Sequence, residues 1–492
     1  MYLTFSDSAK FAQAGLNLLT GRGLVISHSF FDPKILSSLQ PGDFFPANFL
    51  PFTLWILSLF FRFLPVSDQT IALVGWIAFL ASALLIFLIT NKLHRLTSAL
   101  VATILFIFNM PFWEYATNAS SEIFFTFQIL LLVFLYLSRF PWLFLLPLVL
   151  MFFTRQQATV VLLSCVLTGT VWFLTSKRTH RFKIITLLII SVVFFTMIKL
   201  SLVTTQFRFS PASVIGSLNL PANTAQGLFL RGLTYTPITA KQLIVKIFYN
   251  VYNFAKNPAQ LVSPVILAFF LLGLFIRKVD KTIGQFNFFA LVTFILFILA
   301  ASATLPNARY IHPVIPLIII SGSMAVVHLI HQSKIVRKKV ALMVIVFLVI
   351  SPLLGHLTID ARFRRQQFNT DQPTAYRQIS RVMAESIPKG KLIITNLDAW
   401  AAWYEGLTTM WFPLSPDLLE GYQDKVGYIV ITNYKEQDGD FALGEWREVV
   451  YSPDLIRNKF LKTNFRVLKT FIISPDQVYE NQAYQGTILV RR

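Results

Sequence analysis

Acidic residues are scarce through most of this chain. Of its 23 Asp and Glu, only eight lie in the first 360 residues: Asp7, Asp32, Asp43, Asp68, Glu114, Glu122, Asp280 and Asp360. Cysteine is rarer still, and the single Cys165 excludes an internal disulfide. There is no Gly-rich phosphate loop, Walker motif or serine-hydrolase elbow, which argues against a soluble nucleotide as donor. No two His, Cys or acidic residues share metal-ligand spacing on one element. The sequence therefore assigns no cofactor and leaves divalent-metal dependence open. A basic region followed by an apolar core, the mark of a signal peptide, is missing from the first residues. Repeats and low-complexity segments are absent too.

What fills the chain is apolar. It is 55% hydrophobic and 13% charged, with 49 Phe. A soluble protein of this composition could not cover its surface, so the class is a mainly α, polytopic membrane protein. The net charge of +20 is unevenly spread: 26 Lys and Arg accompany the eight acids up to Asp360, against 17 basic and 15 acidic residues afterwards. The excess belongs to the membrane part. Positive-inside loops, anionic lipids and phosphate groups account for it, and nucleic acid does not.

Apolar runs fall at 70–91, 97–112, 122–138, 141–153, 156–175, 183–203, 262–276, 285–305, 310–331 and 338–356, about ten spans. Every second junction is basic: Lys92 with Arg95, Arg139, Lys177 with Arg178 and Arg181, Arg277 with Lys278 and Lys281, Lys334 with Arg337 to Lys339. Those junctions are expected inside. The other connections then face outward, as do residues 1–69, the long loop 204–261 and the tail. The apolar stretch 49–65 carries Arg62 and is read as a helix in the outer interface, with a true span as the alternative. The segment from Ala240 to Leu261, with its lysines and aromatics, is read the same way. The tail changes period: "TAYRQISRVMAESI" predicts an amphipathic helix, and "KLIITN", "VGYIVITN", "FRVLKTFIIS" and "GTILVRR" predict strands. The expected domains are a first outer loop over 1–69, a transmembrane domain over 70–357 and an extracytoplasmic α/β domain over 358–492. The expected location is the plasma membrane, multi-pass, with the tail outside.

Chemistry on the outer face rests on few residues. Asp7 heads an opening helix and Glu122 heads the span 122–138. A helix start stabilises a carboxylate, so capping by Ser6 or Asp7, and by Ser120 or Ser121, is the structural alternative to function. Arg155 and Arg309 sit at outer helix ends, against the positive-inside tendency. A guanidinium there needs a partner, and a phosphate can be bound bidentately; snorkelling to lipid headgroups is the alternative. Tyr310, His312 and His28 read as helix-end packing or site residues. Carboxylates that activate a hydroxyl and arginines that hold a phosphate suit a transferase working on a lipid-phosphate-linked group. In such a site the four charged side chains must meet. Separations beyond about two helical turns, roughly 11 Å, would count against it.

The order of these motifs resembles the C-type fold of membrane glycosyltransferases, in particular the protein O-mannosyltransferase-like and bacterial aminoarabinose transferase families. "SDSAKFAQAGLNLLTGRGL" resembles their first outer loop, with Asp7, Phe11, Ala14, Gly21 and Gly23 matching in order. "FFPANFLPFTLWILSLFFRF" resembles the interfacial helix that follows, and "MPFWEYATNASSEIFFTF" the second outer loop with Glu122 as its acid. "MFFTRQQATVV" and "NARYIHPVIP" resemble the two later turns that carry Arg155 and Arg309. The resemblance implies an inverting transfer of a sugar from a polyprenyl-phosphate donor to a hydroxyl of a protein, lipid or cell-envelope glycan. Asp7 would be the general base and Glu122 would orient the acceptor or assist. Arg155, Arg309 and Tyr310 would hold the donor phosphate. Two departures stand out. Many relatives have adjacent acids in the first loop, whereas Ser8 follows Asp7. The family also has a span before this loop, so an upstream in-frame run of about 20 apolar residues is expected, with Met1 an internal start or the mark of a truncated gene model. Competing readings are a transporter or flippase for lipid-linked sugars, and a membrane protein whose tail binds a partner. Transporters usually show paired repeats and mid-membrane acids, which are missing here.

Overall fold

A computed structural model describes residues 3–40, 44–47, 49–138, 141–175, 231, 238–275, 280–332, 337–359, 373–478 and 482–492. The expected run 183–203 and most of the loop 204–261 lie outside the described residues. The helices confirm a membrane protein. Among the described residues, Asp68–Leu93, Lys281–Ala303 and Ala308–Gln332 are long and apolar enough to cross a bilayer. Shorter apolar helices cover Phe52–Phe61, Ser121–Tyr136, Ala158–Trp172 and Pro264–Leu274. The ten residues of Phe52–Phe61 span only about 15 Å, too short to cross alone. Trp55 and Leu59 are exposed on this helix.

The expected run 97–112 is broken. Leu96–Ile107 and Met110–Thr117 meet at a 61° bend. Pro111 explains the break, because it has no N–H to give the carbonyl of Ile107 four residues back. Trp113 Nε1 donates to that carbonyl instead. The second helix of the pair therefore turns aside. It lies against Asp68–Leu93 at very short range: a Cβ on Gly75 would sit 1.9 Å from the carbonyl oxygen of Ala116. Gly322 likewise lets Ile315–Gln332 approach the backbone of Pro264–Leu274, where a Cβ would meet Ile266 O at 2.9 Å.

The tail folds as expected into helix Ala375–Ser386 and the strands Leu392–Thr395, Tyr428–Thr432, Phe465–Ile473 and Tyr484–Arg491. Two further strands were not legible in the pattern. Thr408–Trp411 follows helix Asp398–Glu405 to complete a parallel β-α-β unit. His28–Ser29, from the first outer loop, pairs in parallel with Thr409–Met410. The six strands run in the order His28–Ser29, Thr408–Trp411, Leu392–Thr395, Tyr428–Thr432, Tyr484–Arg491, Phe465–Ile473. The opening segment of the chain thus supplies an edge of the tail's sheet. Asp68 adds a second tie between membrane helices and tail, accepting from Trp403 Nε1 (2.9 Å) and Tyr404 Oη (2.7 Å).

A Gly75→Ala substitution should cost about 1–3 kcal/mol or more, because backbone faces backbone there and cannot yield. Thermal unfolding in detergent checks it, with Gly169→Ala, which meets nothing within 4 Å, as the neutral control. Equal midpoints for the two variants would refute the close approach.

Candidate active site

Four helix ends converge on one cluster. The opening helix Ser6–Leu19 is held at its start by Asn118, whose Oδ1 accepts from Thr4 N (2.7 Å) and Phe5 N (2.9 Å). Phe5, not Ser6 or Asp7, is the N-cap residue, and it makes no side-chain cap bond. Asp7 sits in the first turn, so its carboxylate leaves the helix. Gly21 and Gly23 close this segment with φ of 77° and 83°, a conformation that favours glycine. Asn118 is fully buried in the tight turn before Ser121–Tyr136, where Ala119 takes φ 42°, uncommon for a residue with a Cβ. That turn presents Glu122. Ser120 occupies the cap position but makes no side-chain cap bond.

Glu122 is 0% exposed and is gripped by two guanidinium groups. Arg155 Nη1 lies 2.5 Å from Glu122 Oε1. Arg309 Nε donates to the same oxygen, and Arg309 Nη2 donates to Oε2 at 3.2 Å. Arg309 Nη2 also reaches Asp7 Oδ2 at 3.2 Å. Lys10 Nζ stands 3.8 Å from the other Asp7 oxygen. All four charged residues of the sequence reading therefore meet, well inside the 11 Å limit. Exposure rises outward along the chain of contacts, from Arg155 at 8% to Arg309 at 26% and Asp7 at 44%.

The arginines are themselves positioned. Arg155 Nε donates to Gln157 Oε1 and Nη1 to Ser121 Oγ, both at 2.9 Å, and its guanidinium lies 5.4 Å from the Tyr310 ring centre. Asn307 Oδ1 accepts from Arg309 N at 2.9 Å, fixing the turn, and the Arg309 guanidinium covers Phe5. Among the described residues, neither Arg155 Nη2 nor Arg309 Nη1 donates to any protein group. Next to them His312 Nε2 donates to Gln260 O (2.8 Å), which leaves Nδ1 to accept from Tyr115 Oη (2.5 Å). His312 is thereby fixed at both ring nitrogens. Asn118, Tyr115 and Gln157 escaped the sequence reading, and Ser121 entered it only as a possible cap. The hint of Asn118 and Tyr115 was the polar residues clustered beside the acid in "WEYATNASSE"; Gln157 stands two residues after Arg155 in "MFFTRQQATVV".

Partial burial acts to raise the Asp7 pKa, but Arg309 and Lys10 outweigh it, and the carboxyl is held below its ordinary value. Among the described residues, no group of three or more His, Cys, Asp or Glu is arranged to hold a metal ion, and no role is assigned to one.

No protein-family model matches the sequence, and no curated protein matches it significantly. Solved structures do. Aminoarabinose transferase ArnT from Cupriavidus metallidurans, bound to undecaprenyl phosphate, superposes with a TM-score of 0.51 at 11% identity, covering 99% of this chain and 94% of that one. The oligosaccharyltransferase of Archaeoglobus fulgidus, in complex with zinc and sulfate, gives a TM-score of 0.58 at 13% identity over 90% of this chain and 67% of that one. The same organism's AglB, with an inhibitory peptide and a dolichol-phosphate, gives 0.52 at 13% identity over 96% and 69%. This is the C-type glycosyltransferase fold. The charged cluster sits where the opening segment, the apolar helices and the tail's sheet meet.

Removing one partner from the buried ion network should be severe. Glu122→Ala leaves two guanidinium groups facing each other and should cost about 3–5 kcal/mol. Asp7→Asn, with nearly half of its side chain in solvent, should cost less than about 1 kcal/mol. Thermal midpoints measured against pH add a sign. A lowered carboxylate pKa stabilises fully above the unfolded value and is lost as pH falls through the folded one. The small Asp7→Asn deficit should therefore persist at neutral pH and vanish only in acid. A deficit that grows on acidification would contradict the ion pair.

Proposed function

We propose that the protein is an inverting glycosyltransferase that moves a hexosyl group from a polyprenyl-phosphate donor to an acceptor hydroxyl at the outer face of the plasma membrane. The observation that carries this reading is the clamp on Glu122. One carboxylate fixes two guanidinium groups, and each keeps an amino group with no partner among the described residues. Two converging cationic donors with unfilled N–H bonds match two oxygens of one phosphate. The phosphodiester that joins a sugar to a polyprenol is the anion expected at a membrane surface, and transfer releases it as the polyprenyl phosphate monoester. The fold is shared with proteins seen with undecaprenyl phosphate and with dolichol-phosphate.

The chemistry follows from the placement. The acceptor hydroxyl lies against Asp7, the one carboxylate of the cluster open to solvent. Its oxygen bonds to the anomeric carbon while the bond from that carbon to the phosphate oxygen breaks. The hydroxyl proton passes to Asp7 as general base. Polyprenyl phosphate departs with the bonding pair, and Arg155 and Arg309 stabilise the charge that develops on it. Attack from the side opposite the phosphate inverts the anomeric centre. Glu122, enclosed between the arginines, cannot reach the acceptor, so it assists by holding both guanidinium planes in place. Tyr310 lies beside the guanidinium of Arg155 and limits its swing. The tail and outer loops lie outside the membrane in this reading, and the acceptor is a protein, lipid or cell-envelope glycan.

Reconstituted protein should transfer labelled sugar from a polyprenyl-phosphate donor. Asp7→Asn should lower turnover by about 10²–10⁴-fold while donor binding persists. Arg309→Met should lower both, with turnover down about 10²–10³-fold. Full turnover by Asp7→Asn would remove it as the base. Because the Asp7 pKa is lowered, the acid limb of kcat/KM should lie below the usual carboxylate range.

A further inference from the structure

The opening helix carries a polar strip, and the transfer reaction uses only its first member. Asp7, Lys10 and Gln13 follow at three-residue spacing along one side. Lys10 is 11% exposed on its side chain. Its ammonium lies 4.4 Å from the centre of the Phe30 ring, and among the described residues no hydrogen bond uses its three N–H groups. Gln13 ties the helix to the tail: Nε2 donates to Ala402 O at 3.0 Å, and Oε1 accepts from Ser27 N at 2.9 Å. That orientation of the amide means that His28 Nδ1, 3.1 Å away, donates to Gln13 Oε1. His28 Nε2 is then a bare acceptor. It is buried and has no partner among the described residues.

Asp398 reaches the same seam from the tail. His28 is in register with Thr409, and Thr409 Oγ1 donates to Asp398 O at 2.7 Å. Asp398 is 7% exposed, and its Oδ2 also lacks a partner among the described residues. Burial raises the Asp398 pKa, and burial together with Lys10 lowers that of His28, so both lean toward their neutral forms. Lys10 also acts on Asp398, and Asp7 does so as well. Buried polar atoms are normally paired, and leaving one unpaired is costly. Here an ammonium, an imidazole nitrogen and a carboxyl all have unfilled hydrogen-bonding capacity on one seam beside the base. Phe30 and Trp411, 5.6 Å apart, stand next to it as an aromatic wall.

A ligand that fits must offer several hydroxyl groups close together, each able to donate and accept, with an apolar face for the aromatic wall. A sugar ring does this. A serine or threonine side chain brings one hydroxyl. We propose that this seam is the acceptor subsite and takes a hydroxyl-rich glycan, presenting one hydroxyl to Asp7 while Lys10, His28 and Asp398 hold its neighbours. The assignment of an acceptor rests on the transferase reading; the carbohydrate site itself does not.

The test uses the full chain in lipid nanodiscs. Binding of methyl α-mannoside, methyl β-galactoside and an end-capped threonine tetrapeptide is followed by saturation-transfer NMR, and undecaprenyl phosphate binding is measured in parallel. At least one glycoside should bind and lose about tenfold or more in affinity in Lys10→Met and in Asp398→Leu. Lys10→Arg and Asp398→Asn, which keep charge or size, report on folding and should lose less. Undecaprenyl phosphate should bind all four variants alike. Absent glycoside binding, glycoside binding that ignores the variants, or peptide binding with the same variant sensitivity would each overturn the subsite. If the glycoside pattern appears but undecaprenyl phosphate is not bound, the seam stands as a carbohydrate site and the transferase reading falls.

Discussion

A carboxylate sealed from water between two guanidinium groups sets the terms for the end of the helices where it lies. Glu122 has no exposed surface, and its charge is met by Arg155 and Arg309. An ionised carboxylate taken out of water alone is very unfavourable, and the attraction of its partners offsets this only if the geometry is held closely. Three separate helix ends must therefore arrive together. The local oddities of the chain serve that meeting. Pro111 turns the second outer loop aside, and Gly75 lets it settle against a membrane helix. Ala119 accepts an uncommon backbone conformation, and Asn118 holds the start of the opening helix.

The cluster is graded from inside to outside, and in the proposed mechanism its roles are graded with it. The innermost carboxylate is saturated with donors and can only orient. The arginines touch it on one side and keep spare donors on the other. The outermost carboxylate remains open to solvent and is free to exchange a proton. A residue type alone predicts none of this, because Asp7 and Glu122 are the same chemical group. Their difference lies in how many cations surround each and how much water remains.

Much of this was legible in the sequence, and the exceptions have physical causes. Scarcity of acids picked out Asp7 and Glu122, and outward arginines picked out Arg155 and Arg309, because charge is expensive in an apolar chain. The long apolar runs were legible for the same reason, except where Pro111 interrupts a run whose hydropathy does not change. Uncharged polar residues were not legible. Asn118, Tyr115 and Gln157 look like ordinary loop residues until the backbone of another segment is beside them. Strand His28–Ser29 was also invisible, since two residues carry no period and their pairing depends on Thr409 far along the chain. Membrane topology is a local property of hydropathy, whereas the edges of a sheet are decided by partners distant in sequence.

That edge strand has a consequence for how the protein is made. The contact between Gln13 and Ala402 joins residues 389 apart in sequence. At ordinary rates of synthesis, the opening helix must wait on the order of tens of seconds before its partners emerge. During that time the membrane helices are placed while His28–Ser29 has no strand to pair with. The junction between the opening helix and the tail is then a late product of biogenesis, made only when the last quarter of the chain has folded back on the first thirty residues. A chain stopped before the tail would keep the residues of the charged cluster yet lack the sheet against which the opening helix rests.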